Sequence, residues 1–194
     1  TLVQTADELA EVAAELWERQ PQLQRIVVKL NEGFSGGGNA LLDLRLLDDM
    51  RPEATDHVTR VAALRRQFEQ MSFQSESETW AHFSQRIPTL GAIVEAFVEG
   101  DNKRSPSVQG QVTPTGDVEI LSTHDQILGG PDGQVFLGCR FPADDAYRLQ
   151  VQEYGLRVGR SLAAKGALER FGLDFIAIPQ ADGNWNLQAI EINL

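Results

Sequence analysis

Cysteine is almost absent: Cys139 stands alone in 194 residues. One thiol excludes an internal disulfide framework and a cysteine-rich zinc site, and it makes a reducing cytoplasm the simplest compartment. Long apolar runs are missing too. None approaches the roughly 18 residues that read as a membrane span, and the N-terminus lacks the basic and apolar stretches of a secretory signal. Positive charge is scarce, with 17 Lys and Arg against 28 Asp and Glu and a net charge of −11. That balance opposes sequence-independent attraction to nucleic acid or an anionic membrane, so neither is expected as a partner. Any phosphate ligand then needs locally placed donors. What is present is ordinary: 42% hydrophobic residues suffice for a buried core in one unit or two small lobes. The chain starts without Met and stops on "NLQAIEINL". Both ends read as cut, and N-terminal and C-terminal parts of the same chain are expected to be missing.

Thr5 and Glu8 form a capping-box pattern ahead of Leu9, Val12, Ala13, Leu16 and Trp17 on one helical face, which predicts a helix ending near Pro21. "RIVVKL" (25–30) reads as a buried strand. "ALLDLRLL" (40–47) reads as a second, with Leu42, Leu44 and Leu46 on one side and Asp43 and Arg45 on the other. Helical spacing in Val58, Val61, Leu64 and Phe68, and again in Trp80 and Phe83, predicts two helices between Pro52 and Pro88. A second sheet is expected to begin after Pro88, with "GAIVEAFV", "SVQGQV", "VEILSTH" and "QVFLGCRF" as strands. A helix over 144–165, opened by Asp144 and Asp145, precedes an antiparallel hairpin of "LDFIAIP" and "WNLQAIEINL". The expected fold is α+β, in two sheet-and-helix lobes meeting near residues 90–100.

Between the first two strands, "NEGFSGGGN" places four glycines in six residues. Such a loop lets backbone N–H groups converge on an anion, which makes it a candidate phosphate cradle or, more plainly, a flexible hairpin tip. A strand follows it rather than a helix, which sets aside the Walker and dinucleotide-binding loops. Lys29, in an apolar strand just before the loop, must snorkel, pair or meet a ligand, and an ATP phosphate is the economical partner. In "GAIVEAFVEG" the strand carrying Glu95 can offer backbone groups to an adenine edge and an apolar wall in Ala96, Phe97 and Val98, and read alone it is merely a strand. Glu191 and Asn193 share a face of the last strand, and Asp174 can join them across the hairpin. Two carboxylates and a carboxamide suit Mg²⁺, or else form a solvated polar face. Arg104, Ser105 and Ser107 either reach ribose and phosphate or form a polar loop entering a strand. His124 and Gln126, at an expected strand end, line the acceptor side of a site or are satisfied structurally. Arg140 stabilises an acyl phosphate or pairs with Asp144 or Asp145. Cys139 has no histidine partner in sequence and is expected to be a small hydrophobe, not a nucleophile.

This order resembles the ATP-grasp superfamily of carboxylate–amine ligases over nearly the whole chain: a strand lysine, a glycine flap between strands, a linker strand with glutamate, then Asp and Glu-x-Asn on the last strands. "KLNEGFSGGGNA", "RSPSVQ", "STHDQILGG", "GQVFLGCRFPA" and "EINL" are further similar to its branch of pheganomycin-type peptide ligases of natural-product biosynthesis. The resemblance implies an α+β ATP-grasp fold, two lobes with antiparallel sheets (1–92 and 93–194) clasping a nucleotide. It implies ATP and Mg²⁺ as cofactors, and small-molecule or peptide carboxylates and amines as substrates. Lys29 becomes the phosphate-binding lysine, and Glu32, Gly33, Ser35, Gly36, Gly37, Gly38 and Asn39 the loop closing on the phosphates. Glu95, Ala96, Phe97 and Val98 become the adenine-contacting hinge, and Asp174, Glu191 and Asn193 the magnesium ligands. ATP would phosphorylate a carboxylate, and an amine would attack the acyl phosphate to give an amide, with Lys29, the loop amides and Mg²⁺ offsetting developing charge. Family members carry an N-terminal domain with another nucleotide-contacting lysine, and substrate-binding sequence after Glu-x-Asn. Neither lies in these 194 residues, which are therefore expected to be inactive alone. The rival reading is an ATP-binding sensor or interaction module without ligase chemistry.

Overall fold

Thr5 starts α1 (Ala6–Arg19) with both halves of the capping box in place. Its hydroxyl accepts from the Glu8 N–H at 3.1 Å, and the Glu8 carboxylate accepts from the Thr5 N–H at 3.2 Å. A computed structural model describes residues 1–31, 38–73, 77–130, 133 and 135–194. They form two compact units, Thr1–Phe97 with Gly130–Val135, and Val98–Gly129 with Phe136–Leu194.

In the first unit β1 (Arg25–Leu30) and β2 (Asn39–Asp43) pair antiparallel, with Lys29 opposite Asn39. β3 (Ser72–Phe73) and β4 (Ala92–Ala96) complete a four-stranded sheet in the order β3-β2-β1-β4. Period-two alternation sends Ile26, Val28 and Leu30 into the core with Ala40 and Leu42. From α1 that core receives Leu9, Ala10, Ala13, Ala14 and Trp17, the alanines keeping the contact face thin. α2 (His57–Gln67) and α3 (Trp80–Leu90) add Leu64, Trp80, Phe83 and Ile87. The rings of Phe68 and Trp80 lie 5.1 Å apart, a favourable tilted pair. α2 is tied to α1 by charge: His57 meets Glu11 at 2.8 Å and Glu18 at 2.9 Å, and the buried Arg60 also pairs with Glu18.

The second unit holds a five-stranded antiparallel sheet, β7-β6-β5-β8-β9. Its strands are β5 (Pro106–Val112), β6 (Val118–Gly129), β7 (Val135–Arg140), β8 (Glu169–Pro179) and β9 (Trp185–Asn193). α4 (Arg148–Ala164) packs against one face, where Val108, Leu173, Phe175 and Ala177 are buried with Tyr147 and Val151. Two glycines permit this approach: a Cβ on Gly155 would stand 2.8 Å from Val108 Cγ1, and one on Gly159 2.5 Å from Val118 Cγ1. α4 covers one face of the sheet, and Ser107, Gln109 and Asp174 lie on the other together with Ile176 and Ile178. No helix among the described residues is long and apolar enough to cross a membrane.

Several local expectations are corrected. The second strand stops at Asp43, and residues 44–50 form 3₁₀ turns. The Asp43 carboxylate accepts the Arg45 N–H at 3.0 Å and binds its guanidinium, which closes the chain into a turn. Leu44 remains buried but Leu46 is 66% exposed. The second sheet begins at β5, because β4 pairs with β1 from Leu30↔Ala92 to Ile26↔Ala96. The first unit therefore runs to Phe97 rather than ending at residue 92. α4 starts at Arg148, since Asp144 and Asp145 sit in the preceding turn, where Asp144 accepts from the Ala146 N–H at 2.9 Å. His124 lies in mid-strand, not at a strand end. Cys139 is exposed.

Candidate functional site

On β1, Lys29 faces away from the Ile26–Val28–Leu30 core and lies between Asn39 on β2 and Ile93 on β4. Its Nζ is 2.7 Å from Glu95 Oε2, with the two side chains 18% and 37% exposed. Glu95 is the diagonal neighbour, opposite Val27 and two residues along the strand from the position facing Lys29. Glu95 is expected in the adenine-contacting hinge; in the fold its carboxylate is a partner of the lysine. Glu32, Gly33, Ser35, Gly36 and Gly37 lie outside the described residues, while Gly38 accepts from the Leu30 N–H at 2.8 Å as the loop re-enters the sheet.

The Phe97 N–H donates to the Arg25 carbonyl at 3.1 Å, and the Asn31 N–H to Gly91 at 3.0 Å. These bonds fix the paired positions along β1 and β4, so the N–H and C=O of Ala96 are directed away from β1, on the outer edge of the sheet. Phe97 is held below the Arg25 guanidinium, 4.0 Å from ring centroid to Cζ. Val98, in the second unit, has its carbonyl bound by Lys103 Nζ at 2.7 Å.

In the second unit the strand registers build one continuous row. His124 on β6 pairs with Ser107 on β5, Ser107 with Asp174 on β8, and Asp174 with Glu191 on β9. Directly paired residues share a sheet face, so all four project opposite α4. The next row on that face is Ser122, Gln109, Gly172 and Asn193. A bulge after Asp174 sets Phe175 against Ala189, leaving Ile190 as the extra residue. It re-aims β9 so that Leu187 and Trp185 meet the α4 core while Glu191 and Asn193 stay on the polar face. Asn193 Nδ2 donates to Asp174 Oδ2 at 3.3 Å, which leaves the carboxamide oxygen available as a donor to a cation. Two opposed carboxylates repel, and a hard cation sharing their oxygens relieves that repulsion. The donor set fits Mg²⁺. Among the described residues no group of three His, Cys, Asp or Glu side chains is poised for a metal; here the third donor is an amide.

The remaining candidates separate. Gln126 shares the face of His124, and its N–H donates to the Ser105 carbonyl at 2.9 Å. Ser105 Oγ donates to the Phe175 carbonyl at 3.4 Å, a structural bond beside the bulge. Arg104 exchanges backbone bonds with Ala177 at 2.9 Å and its side chain is exposed. The His124 ring lies 5.5 Å from that of Phe141. Arg140 is exposed and pairs with neither expected aspartate: Asp145 binds Arg148 at 3.0 Å. Asp125 accepts from Tyr147 Oη at 2.5 Å and from the Asp144 N–H at 2.8 Å. Burial first, and then this bond, push the Tyr147 phenol well above its usual range, so it acts as a fixed donor. Gln109 joins the polar face as well, and its signal in the sequence is the alternation of Ser107, Gln109 and Gln111 in "PSVQGQV".

The profile described as "IQCH-like, ATP-grasp" matches residues 50–194. The chain belongs to this ATP-grasp family. Over 112 residues it is 39% identical to L-propargylglycine–L-glutamate ligase of Streptantibioticus cattleyicolor, a match covering 58% of this chain and 22% of that protein. Over 196 aligned residues it is 26% identical to IQ motif-containing protein H of Danio rerio, covering 90% and 18% respectively. The chain thus matches about a fifth of the length of these curated relatives. The solved biotin carboxylase of Campylobacter jejuni, in a β-γ-ATP complex, superposes with a TM-score of 0.61 at 16% identity, covering 95% of this chain and 34% of that one. The fold is the α+β ATP-grasp fold with two antiparallel sheets. The family match takes in the whole β5–β9 sheet, and it begins after Lys29 and the glycine loop.

Proposed function

We propose that the protein containing this chain is an ATP-dependent carboxylate–amine ligase that forms an amide, in the first instance a peptide bond between amino-acid-like substrates. The observation that carries the reading is the convergence of Asp174, Glu191 and Asn193 on the open face of an ATP-grasp sheet. The 39% identity to an amino-acid ligase over the matched region supports it. A substrate carboxylate oxygen attacks the terminal phosphorus of ATP and ADP leaves. The amine nitrogen then attacks the acyl carbon, phosphate departs with the C–O electron pair, and the amine proton passes to solvent. Mg²⁺ held by Asp174, Glu191 and Asn193 would neutralise charge on the phosphates. Lys29, oriented by Glu95, is the chain's own cation for the phosphoryl group, and the outward N–H and C=O of Ala96 suit the edge of an adenine.

The test is ADP release by the whole protein with amino-acid and peptide pools. The expected result is turnover that needs both a carboxylate and an amine and that fails in Glu191→Ala. Nucleotide binding without carboxylate-dependent turnover would favour a sensor or interaction module. One observation favours that second reading: the match to IQ motif-containing protein H, a name that states no ligase activity, covers 90% of this chain.

A further inference from the structure

Gln109 occupies the row beside the His124–Ser107–Asp174–Glu191 row, and its neighbour on β8 is Gly172. Gly172 does not take a positive φ, so its backbone makes no demand for glycine. What its missing side chain supplies is room. A Cβ there would stand 3.1 Å from Gln109 Nε2, 3.3 Å from its Oε1 and 3.6 Å from Asn193 Cβ. The Gln109 carboxamide and the Asn193 Cβ therefore border the same space above Gly172. Its Nε2 also donates to Ser107 Oγ at 3.0 Å, and Ser107, 4% exposed, stands next to Asp174 across the sheet. Asn193, by contrast, is an exposed residue at the end of an edge strand, its carboxamide meeting Asp174 Oδ2 at the long distance of 3.3 Å.

We propose that Gln109 is a positioning residue that holds the Asn193 carboxamide and the Asp174 carboxylate in their ligating arrangement, with Gly172 providing the slot it needs. This rests on the metal reading proposed above. Groups that orient metal ligands without touching the metal commonly change affinity tenfold or more when removed.

The experiment measures Mn²⁺ binding by electron paramagnetic resonance in the whole protein, with ADP present, for Gln109→Met and separately for Gly172→Ala. Met keeps the length and removes the amide; Ala fills the slot. The expected result is Mn²⁺ affinity lowered about tenfold in both, with metal-free ADP affinity and thermal midpoint kept in Gln109→Met. Unchanged Mn²⁺ affinity in both, while Glu191→Ala loses it, would overturn the role of Gln109 and leave the metal site standing. Unchanged Mn²⁺ affinity in Glu191→Ala as well would overturn both.

Discussion

Arg60 is the largest charged side chain sealed in the first unit, and replacing it with Met is expected to destabilise that unit by about 3 kcal/mol. Arg60 is 1% exposed, and its Nε and Nη2 donate to the carbonyls of Met50 at 2.9 Å and Thr55 at 2.6 Å. Met fills most of the volume, so no large cavity forms, but both carbonyls lose their donor at about 1 kcal/mol each, the low end because both residues are only half-buried. The Glu18 pair adds up to about 1 kcal/mol, since the carboxylate is 37% exposed and screened. Arg60→Lys keeps the charge and loses the planar fork, so it should cost about half as much. Glu18→Gln should cost under about 1 kcal/mol. The assay is urea unfolding of the whole protein, read by amide hydrogen exchange in peptides from α1 and α2. If Glu18→Gln costs as much as Arg60→Met, the ion pair dominates and the carbonyl reasoning is wrong.

His57 has its pKa raised from 6.5, first by its bond to Glu18 and then by Glu11, whereas Glu18 is lowered from 4.5, first by the bond to His57. The histidine's contribution is full below about pH 6.5 and fades as pH rises through its folded value; that of Glu18 is present above about 4.5 and fades on acidification. A urea-midpoint series should therefore decline as pH rises above about 6.5, and His57→Gln should flatten that limb. Gly159→Ala would press a methyl to 2.5 Å from Val118 Cγ1 and 2.8 Å from Phe171 Cζ, so despite better helix propensity it should cost about 1–3 kcal/mol in unfolding of the second unit. Asp174→Asn should weaken Mg²⁺-dependent ATP binding and strengthen metal-free ATP binding several-fold in calorimetry; a loss under both conditions would argue against the charge logic of the site.

What the sequence made legible was local. The capping box and 3.6-residue spacing marked α1, β-branched runs marked β1, and alternation put Glu191 and Asn193 on one face. What it hid depends on partners far along the chain. Arg60 sits among basic residues in "RVAALRR" like any surface arginine, and is buried only because Glu18 and the turns at 50–55 close around it. The end of β2 at Asp43 was masked by leucines that continue the alternation past an Asp–Arg turn. Glu95 met Lys29 through a sheet register that no linear spacing reveals. The row from His124 to Glu191 joins four strands, and the bulge within it shifts the faces of β9 by one residue. A fixed period of two predicts Leu187 and Glu191 on the same side, whereas the fold needs them on opposite ones.

The charge of the chain bears on the order of binding. At −11 overall, with Asp174 and Glu191 opposed on one face, metal-free ATP meets repulsion at that face. Each carboxylate about 7 Å from a phosphate charge contributes roughly 0.6–2.4 kcal/mol, depending on the effective dielectric. A dication at Asp174 and Glu191 reverses the sign of the local field, turning the least favourable surface for a polyphosphate into an attractive one. On the proposed reading the acidic face therefore serves a selective purpose. It rejects bare polyanions and accepts them as their magnesium complexes, which makes nucleotide affinity a function of the divalent cation.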